Sequence, residues 1–283
     1  MRVDRPMVSV RQWPGMRSEY VWLPPDDQVT TTKPYQIGVS FNQHTQVVHE
    51  HGGRARCLAV PAGAVFANGS EEIHWAEATE PTEAVEIYPD MALLRAIIDS
   101  PQAGTIEIES VTAGRDATVL GLAAVLKRAH IRDLELDAME ASSVAHRLVE
   151  HLADHYCRPR PRPARRPRRL DRSVVDRIAV LVEERLGEPL VLDDLAAEAR
   201  LSVYHFARAF KSTTGMAPHQ FVTMRRMERA KTLLLAGRAS VSEIAHAVGY
   251  LNVGHFRRLF RRYTGFQPSD LRRSWPPDPR RQG

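Results

Sequence analysis

Residues 191–272 spell one structural unit twice, and this duplication constrains the chain more than any other feature. The first copy runs Leu195-Ala196, Ala199, Leu201, Ser202, His205-Phe206, Arg208, Phe210-Lys211, Thr214-Gly215 and Pro218. The second runs Ile244-Ala245, Val248-Gly249-Tyr250, Asn252, His255-Phe256, Arg258, Phe260-Arg261, Thr264-Gly265 and Pro268. The offset is 49 positions before the turn and 50 from His205 and His255 onward, so the second turn holds one extra residue. Each copy reads as a short helix, a turn and a second helix. Asp193 and Ser242 are cap-type residues ahead of the first helices, and Ser202 and Asn252 cap the second ones. Phe206 and Phe210, like Phe256, Leu259 and Phe260, fall at helical spacing and share one buried face.

The opposite face carries Val203, Tyr204, Ala207, Arg208 and Lys211 in the first copy, and Val253, Gly254, Arg257, Arg258 and Arg261 in the second. A helix-turn-helix lays its second helix in the major groove, where outward side chains meet base edges and phosphates. Those ten residues, with the caps Ser202 and Asn252 touching phosphate, are the expected DNA contacts. The motifs span about 193–214 and 242–264, with recognition helices at about 203–213 and 253–263. Between the copies, Phe221, Met224, Met227, Ala230 and Leu234 recur at steps of three or four. Arg225, Arg226, Arg229 and Lys231 fall mostly on the other side, and Gly237 is a stop. One rigid helix of about seventeen residues spans roughly 25 Å. With its flanking turns it sets the recognition helices about one DNA turn, roughly 34 Å, apart.

The pattern through Arg226-Met227, Ala230 and Leu233-Leu234, together with both motif copies, resembles the AraC/XylS transcriptional regulators. The resemblance covers roughly the last hundred residues and implies a sequence-specific DNA-binding regulator, activator or repressor, that is not an enzyme. Two positions depart from the family pattern. Arg200 stands where the family usually has glycine in the first turn, and Gly254 where a polar base-reading side chain is common.

Charge supports a polyanionic partner for this half. Residues 1–157 hold 13 Lys+Arg against 22 Asp+Glu, a balance of −9, whereas residues 158–283 hold 26 against 12, a balance of +14. Double-stranded DNA is the expected partner, bound in a salt-sensitive way. Cys57 and Cys157 lack metal-site spacing, and the N-terminus has no apolar leader, so a cytoplasmic protein without membrane association is expected.

The fold class expected is α+β multidomain: an N-terminal cupin-like β-barrel with a helix pair, and a C-terminal all-α domain with two helix-turn-helix motifs. Short runs of β-formers such as Tyr20–Leu23, Tyr35–Phe41 and Ala84–Tyr88 suggest a barrel or jelly roll, and the family resemblance implies that residues 1–115 are a cupin-like sensory domain. A small-molecule effector pocket there would draw on Trp22, Phe41, Phe66, His74, Trp75 and Tyr88. His49 and His51 lie two apart on a strand, with His44 and His74 nearby, but Phe66 sits about where a cupin metal site needs a later histidine. No metal or cofactor is expected.

Helical periodicity over 116–157 suggests an antiparallel pair. In the family such a pair implies a homodimer, and an activator further implies RNA polymerase contact. The Arg/Pro run at 158–170 is an extended linker, 171–275 the DNA-binding domain and 276–283 a frayed tail. Two other functions remain open from sequence: a metal-dependent cupin enzyme fused to a DNA anchor, and an architectural protein that coats DNA without sequence choice.

Overall fold

The computed structural model describes residues 6–25, 30–51, 54–70, 72–76, 80–98, 107–132, 134–158 and 169–274. The expected linker lies outside them from 159 to 168, as does the tail from 275. The chain divides into two compact units, one of Met1–Leu134 with Ala141–Ala164 and one of Glu135–Glu140 with Arg165–Gly283.

The first unit is mostly β. In chain order it holds β1 (Met7–Trp13), β2 (Met16–Leu23), β3 (Thr30–Thr32), β4 (Ile37–Ser40), β5 (His44–His51), β6 (Arg54–Val60), β7 (Val65–Ala67), β8 (Ile73–Ala76) and β9 (Thr82–Pro89). Then follow α1 (Met91–Ile98), β10 (Glu107–Ile108), β11 (Val111–Gly114), α2 (Ala117–His130), α3 (Ala138–His155), of which the residues from Ala141 belong to this unit, and β12 (Cys157–Arg158). Short β-former runs between turn residues make these strands, and all the pairings are antiparallel.

The strand spacing and the family resemblance together predict a cupin-like barrel, but the described strands do not close into one. They form a six-stranded sheet ordered β1-β2-β9-β4-β7-β11, a four-stranded sheet ordered β3-β8-β5-β6, and a β10-β12 ribbon. Closure needs every edge strand to find a second partner. Among the described residues β1 and β11 each pair on one side only. The large sheet buries Met16, Ser18 and Tyr20 of β2, and Ile37, Val39, Val65, Val85 and Ile87 lie in the same core. Helix α2 packs against β2 and β9 through a stripe of Val119, Leu122, Ala123, Leu126 and Ala129. Its start is held by Asp116, which accepts from the backbone N of Thr118 and Val119 at 2.9 and 3.0 Å. The same carboxylate bonds His151 Nε2 at 2.6 Å and accepts from Tyr156 Oη at 2.9 Å. No described helix is long and apolar enough to cross a membrane.

The second unit is helical: α4 (Arg172–Glu184), α5 (Leu192–Glu198), α6 (Val203–Thr214), α7 (Pro218–Ala236), α8 (Val241–Ala247), α9 (Val253–Thr264) and α10 (Pro268–Ser274). Two cores correspond to the two copies. One joins Ile178 and Val182 of α4 to Leu195, Ala196, Phe206, Phe210 and Val222; the other joins Met227, Ala230 and Leu234 of α7 to Ile244, Ala245, Val248, Tyr250, Phe256 and Phe260. Helix α7 is a single helix stopped by Gly237, and it contributes to both cores.

Two local expectations are corrected here. The first helices begin earlier than Asp193 and Ser242 suggest: α5 is preceded by Val191 and α8 by Ser240. Ser240 wins over Ser242 because Glu243 lies three residues on. Ser240 Oγ accepts from Glu243 N at 3.2 Å, and the Glu243 carboxylate accepts from Ser240 N at 2.6 Å. Arg226, expected on the outer side of α7, is instead 2% exposed. Its guanidinium donates to Leu186 O at 3.1 Å, Glu188 O at 3.0 Å and Asp137 Oδ2 at 2.8 Å, and lies 5.4 Å from the Tyr250 ring centre. The buried cation is therefore hydrogen-bonded through each of its three nitrogens and paired with a carboxylate, as such burial requires.

Candidate nucleic-acid interface

Helices α6 and α9 are built alike from equivalent residues. Ser202 Oγ and Asn252 Oδ1 cap them by accepting from the N–H of His205 and His255, at 3.4 and 2.8 Å. Each ends at a left-handed glycine, Gly215 or Gly265. Just before it, Thr214 and Thr264 repeat one arrangement: their hydroxyls donate to Phe210 O and Phe260 O at 2.9 and 2.7 Å. Pro218 and Pro268 then open the next helices.

The turns ahead of these helices also match. Leu201 N donates to Ala196 O at 3.1 Å and Tyr250 N to Ala245 O at 2.9 Å, closing a Schellman-type end in each copy. The residue in the left-handed region is Gly249 in the second copy, at φ 84°, and Arg200 in the first, at φ 53°. The departure noted in the sequence thus changes the residue and preserves the turn.

Phe206, Phe210, Phe256 and Phe260 are buried, which leaves the opposite face of each helix outward. On α6, Lys211 is exposed, and Val203, Tyr204, Ala207 and Arg208 are half-buried. Arg208 Nη1 donates to Tyr204 Oη at 2.5 Å, with its guanidinium 5.2 Å from that ring, so the two side chains are held together. On α9, Gly254, Arg257, Arg258 and Arg261 are exposed and Val253 is half-buried. Four other cations of this unit are structurally engaged, in the pairs Arg177–Glu198, Arg185–Glu188, Arg225–Glu183 and Arg226–Asp137. The pattern was also incomplete, since His205 and Arg262 are exposed beside these groups. His205 Nδ1 lies 2.8 Å from Ser202 Oγ, whereas its counterpart His255 is buried 3.8 Å from Glu140. Burial holds the His255 ring below its ordinary pKa.

Residues 195–274 match a family described as a helix-turn-helix domain. Over 102 residues the chain is 39% identical to the uncharacterized HTH-type transcriptional regulator YdiP of Escherichia coli (strain K12), covering 36% of this chain and 34% of that protein. It is 32% identical over 100 residues to the HTH-type transcriptional activator RhaS of Escherichia coli (strain SE11), covering 35% and 36%. A solved transcriptional regulator of Chromobacterium violaceum, described as containing an AraC-type DNA-binding domain, is 28% identical with a TM-score of 0.35, covering 37% of this chain and 96% of that one. The helical unit is a helix-turn-helix domain similar to those of the AraC/XylS regulators. The chain spans about a third of the length of these two curated relatives, and the AraC/XylS likeness is a property of the helical unit.

Outside that AraC/XylS domain, the six residues read as an effector pocket are not brought to one place. Opposite residues in an antiparallel pair share a face. Trp22 pairs with Glu83 and Tyr88 with Arg17, so on β2 and β9 the two aromatics fall on opposite faces of the large sheet. Phe66 is opposite Gly38, and Gly38 opposite Glu86, which puts Phe66 on the Tyr88 face. Phe41 follows β4 with Lys127 Nζ 4.3 Å from its ring. His74 is exposed on β8, its Nδ1 3.0 Å from Thr31 Oγ1, and the Trp75 side chain lies outside the described residues. His44 and His49 are buried; the side chain of His51 also lies outside the described residues.

The Tyr88 face also carries polar groups. Arg17 and Lys33 stand 4.7 and 5.8 Å from the Tyr88 ring, and Gln36 donates to Glu86. Burial raises the Glu86 carboxyl to about 7, offset in part by the Gln36 bond. Strand alternation could have revealed this set, because Gln36 and Gly38 alternate with the apolar Ile37 and Val39.

Proposed function

We propose that this chain is a sequence-specific DNA-binding transcription regulator that inserts α6 and α9 into successive major grooves. One observation carries the reading: the same capped helix, with the same buried phenylalanine pair and a cationic outer face, occurs twice in a domain of AraC/XylS type. Helix α7, 19 residues long, is the rigid spacer between the copies. At the helical rise it is roughly 28 Å long, close to one turn of duplex once its flanking turns are added.

Within this reading Arg208, Lys211, Arg257, Arg258 and Arg261 supply the charged contacts. Tyr204 and Val203 meet base edges, and Ser202 and Asn252 meet phosphate. A small effector modulates binding from the first unit, where the polar face of Arg17, Gln36, Glu86 and Tyr88 is the better candidate than the six aromatic and histidine positions. The full protein acts as a homodimer and, if an activator, contacts RNA polymerase.

Selection of random duplex DNA by the full-length chain at physiological salt tests this. Two short enriched elements about one helical turn apart are expected. A doubled site for the full-length chain, and a single one for residues 171–275, would assign dimerisation to the N-terminal half. Tight, salt-sensitive binding with no enriched sequence refutes the regulator reading.

A further inference from the structure

The one-residue difference between the copies has an identifiable product. Hydrogen bonding makes Tyr250 the counterpart of Leu201, and capping makes Asn252 the counterpart of Ser202. The inserted residue is therefore Leu251. It is 87% exposed, more than any other large hydrophobic side chain among the described residues, and it immediately precedes the cap of α9. On that same end Gly254 is exposed and offers no side chain. A Cβ built there would lie 3.9 Å from Arg258 Nη1, so the Arg258 side chain reaches back toward the start of the helix. Leu251 and Arg258 are thus both exposed at the start of α9, beside the cap Asn252, whose Oδ1 would lie 3.0 Å from that Cβ.

We propose that Leu251 is a specificity-determining residue that reads a thymine through its 5-methyl group; the inference rests on the regulator reading above. A leucine side chain cannot hydrogen-bond, and among the four base edges of the major groove only thymine presents an apolar group. Arg257, Arg258 and Arg261, exposed along the same helix, attract the phosphate backbone, which brings base edges toward α9 and its exposed start. The two recognition helices then differ in chemistry. The α6 end presents the paired Tyr204 hydroxyl and Arg208 guanidinium, whereas the α9 end presents an apolar tip beside one guanidinium.

The test uses the full-length chain and the duplex it selects. In the element whose specificity Arg258→Ala relaxes, each thymine is replaced in turn by uracil, which removes only the methyl group. One replacement is expected to weaken binding about fourfold, the value of one buried methyl-sized group. Leu251→Ala should weaken the thymine duplex to a similar degree and lose the sensitivity to uracil, with Leu251→Ser behaving alike. Leu251 is 87% exposed, so its truncation removes little packing. Sensitivity to uracil that persists in Leu251→Ala, or is absent at every position in the wild type, overturns the inference alone. Failure to select any sequence overturns the regulator reading together with it.

Discussion

The two turns that lead into α6 and α9 have the same backbone but opposite tolerance to substitution. Gly249 sits at φ 84°, and a Cβ built on it would lie 2.7 Å from Leu186 O and 2.9 Å from Arg226 Nη2. Leu186 O is itself the acceptor of Arg226 Nε, so the new methyl meets a fixed carbonyl and a buried guanidinium that cannot swing away. For Gly249→Ala the left-handed backbone costs about 1 kcal/mol and overpacking about 1–3 kcal/mol. The stiffer unfolded chain returns about 0.5 kcal/mol. The net expectation is a loss of about 1.5–3.5 kcal/mol. Arg200 holds the same backbone region at φ 53° with its side chain exposed, so Arg200→Gly relieves strain without removing packing. Relief of about 1 kcal/mol, less the entropy of glycine in the unfolded chain, leaves a gain of about 0.5 kcal/mol.

Hydrogen exchange of the full-length chain, read on peptides from α5 to α9, measures both changes locally. Protection in α8 and α9 should fall in Gly249→Ala while peptides from β2 and β9 stay unchanged, and protection of α5 and α6 should rise slightly in Arg200→Gly. An alanine at 249 that leaves protection within about 0.5 kcal/mol of wild type, or a glycine at 200 that lowers it, would refute the reasoning.

Arg226→Met should lower the stability of the helical unit by about 3 kcal/mol, because it strands the Asp137 carboxylate and two carbonyls; a loss under about 1 kcal/mol in urea unfolding contradicts this. His130 is buried between Ser18 Oγ at 2.8 Å and Ser9 Oγ at 3.0 Å. Burial, aided by the Arg11 charge, lowers its pKa to about 4. Its neutral form thus contributes stability that is present above pH 6.5, the ordinary histidine value, and is lost as pH falls through about 4. Thermal melts from pH 7.5 to 4 should show this loss in the wild type and a flatter profile in His130→Gln; parallel profiles count against it. Arg208→Ala should relax base preference at one position by about 1–3 kcal/mol. Arg261→Ala should instead weaken all duplexes alike and reduce the salt slope by about 1, as a salt titration would show.

Short-range patterns were legible before any coordinates. The repeated Phe206/Phe210 and Phe256/Phe260 spacing, the caps Ser202 and Asn252, and the stop at Gly237 each depend on residues within about one helical turn. Duplication made the pattern stand out from chance. The residues of α6 and α9 that face outward followed from the same periodicity. What periodicity misjudged was Arg226, an arginine placed by its type on the solvent side of α7. Its acceptors lie 38 to 89 positions away in the chain, and no local pattern announces that they converge on one guanidinium.

The N-terminal half divides in the same way. Runs of β-formers located strands such as β2, β4 and β9, but pairing order and register depend on partners up to some seventy residues distant. Register then assigned Trp22 and Tyr88 to opposite faces, and among the described residues β1 and β11 pair on one side only. Cap, period and turn are written in neighbouring residues, because their energies are local. Burial of a charge, convergence of a pocket and closure of a sheet are sums over distant contacts, and those were decided only when the chain had folded.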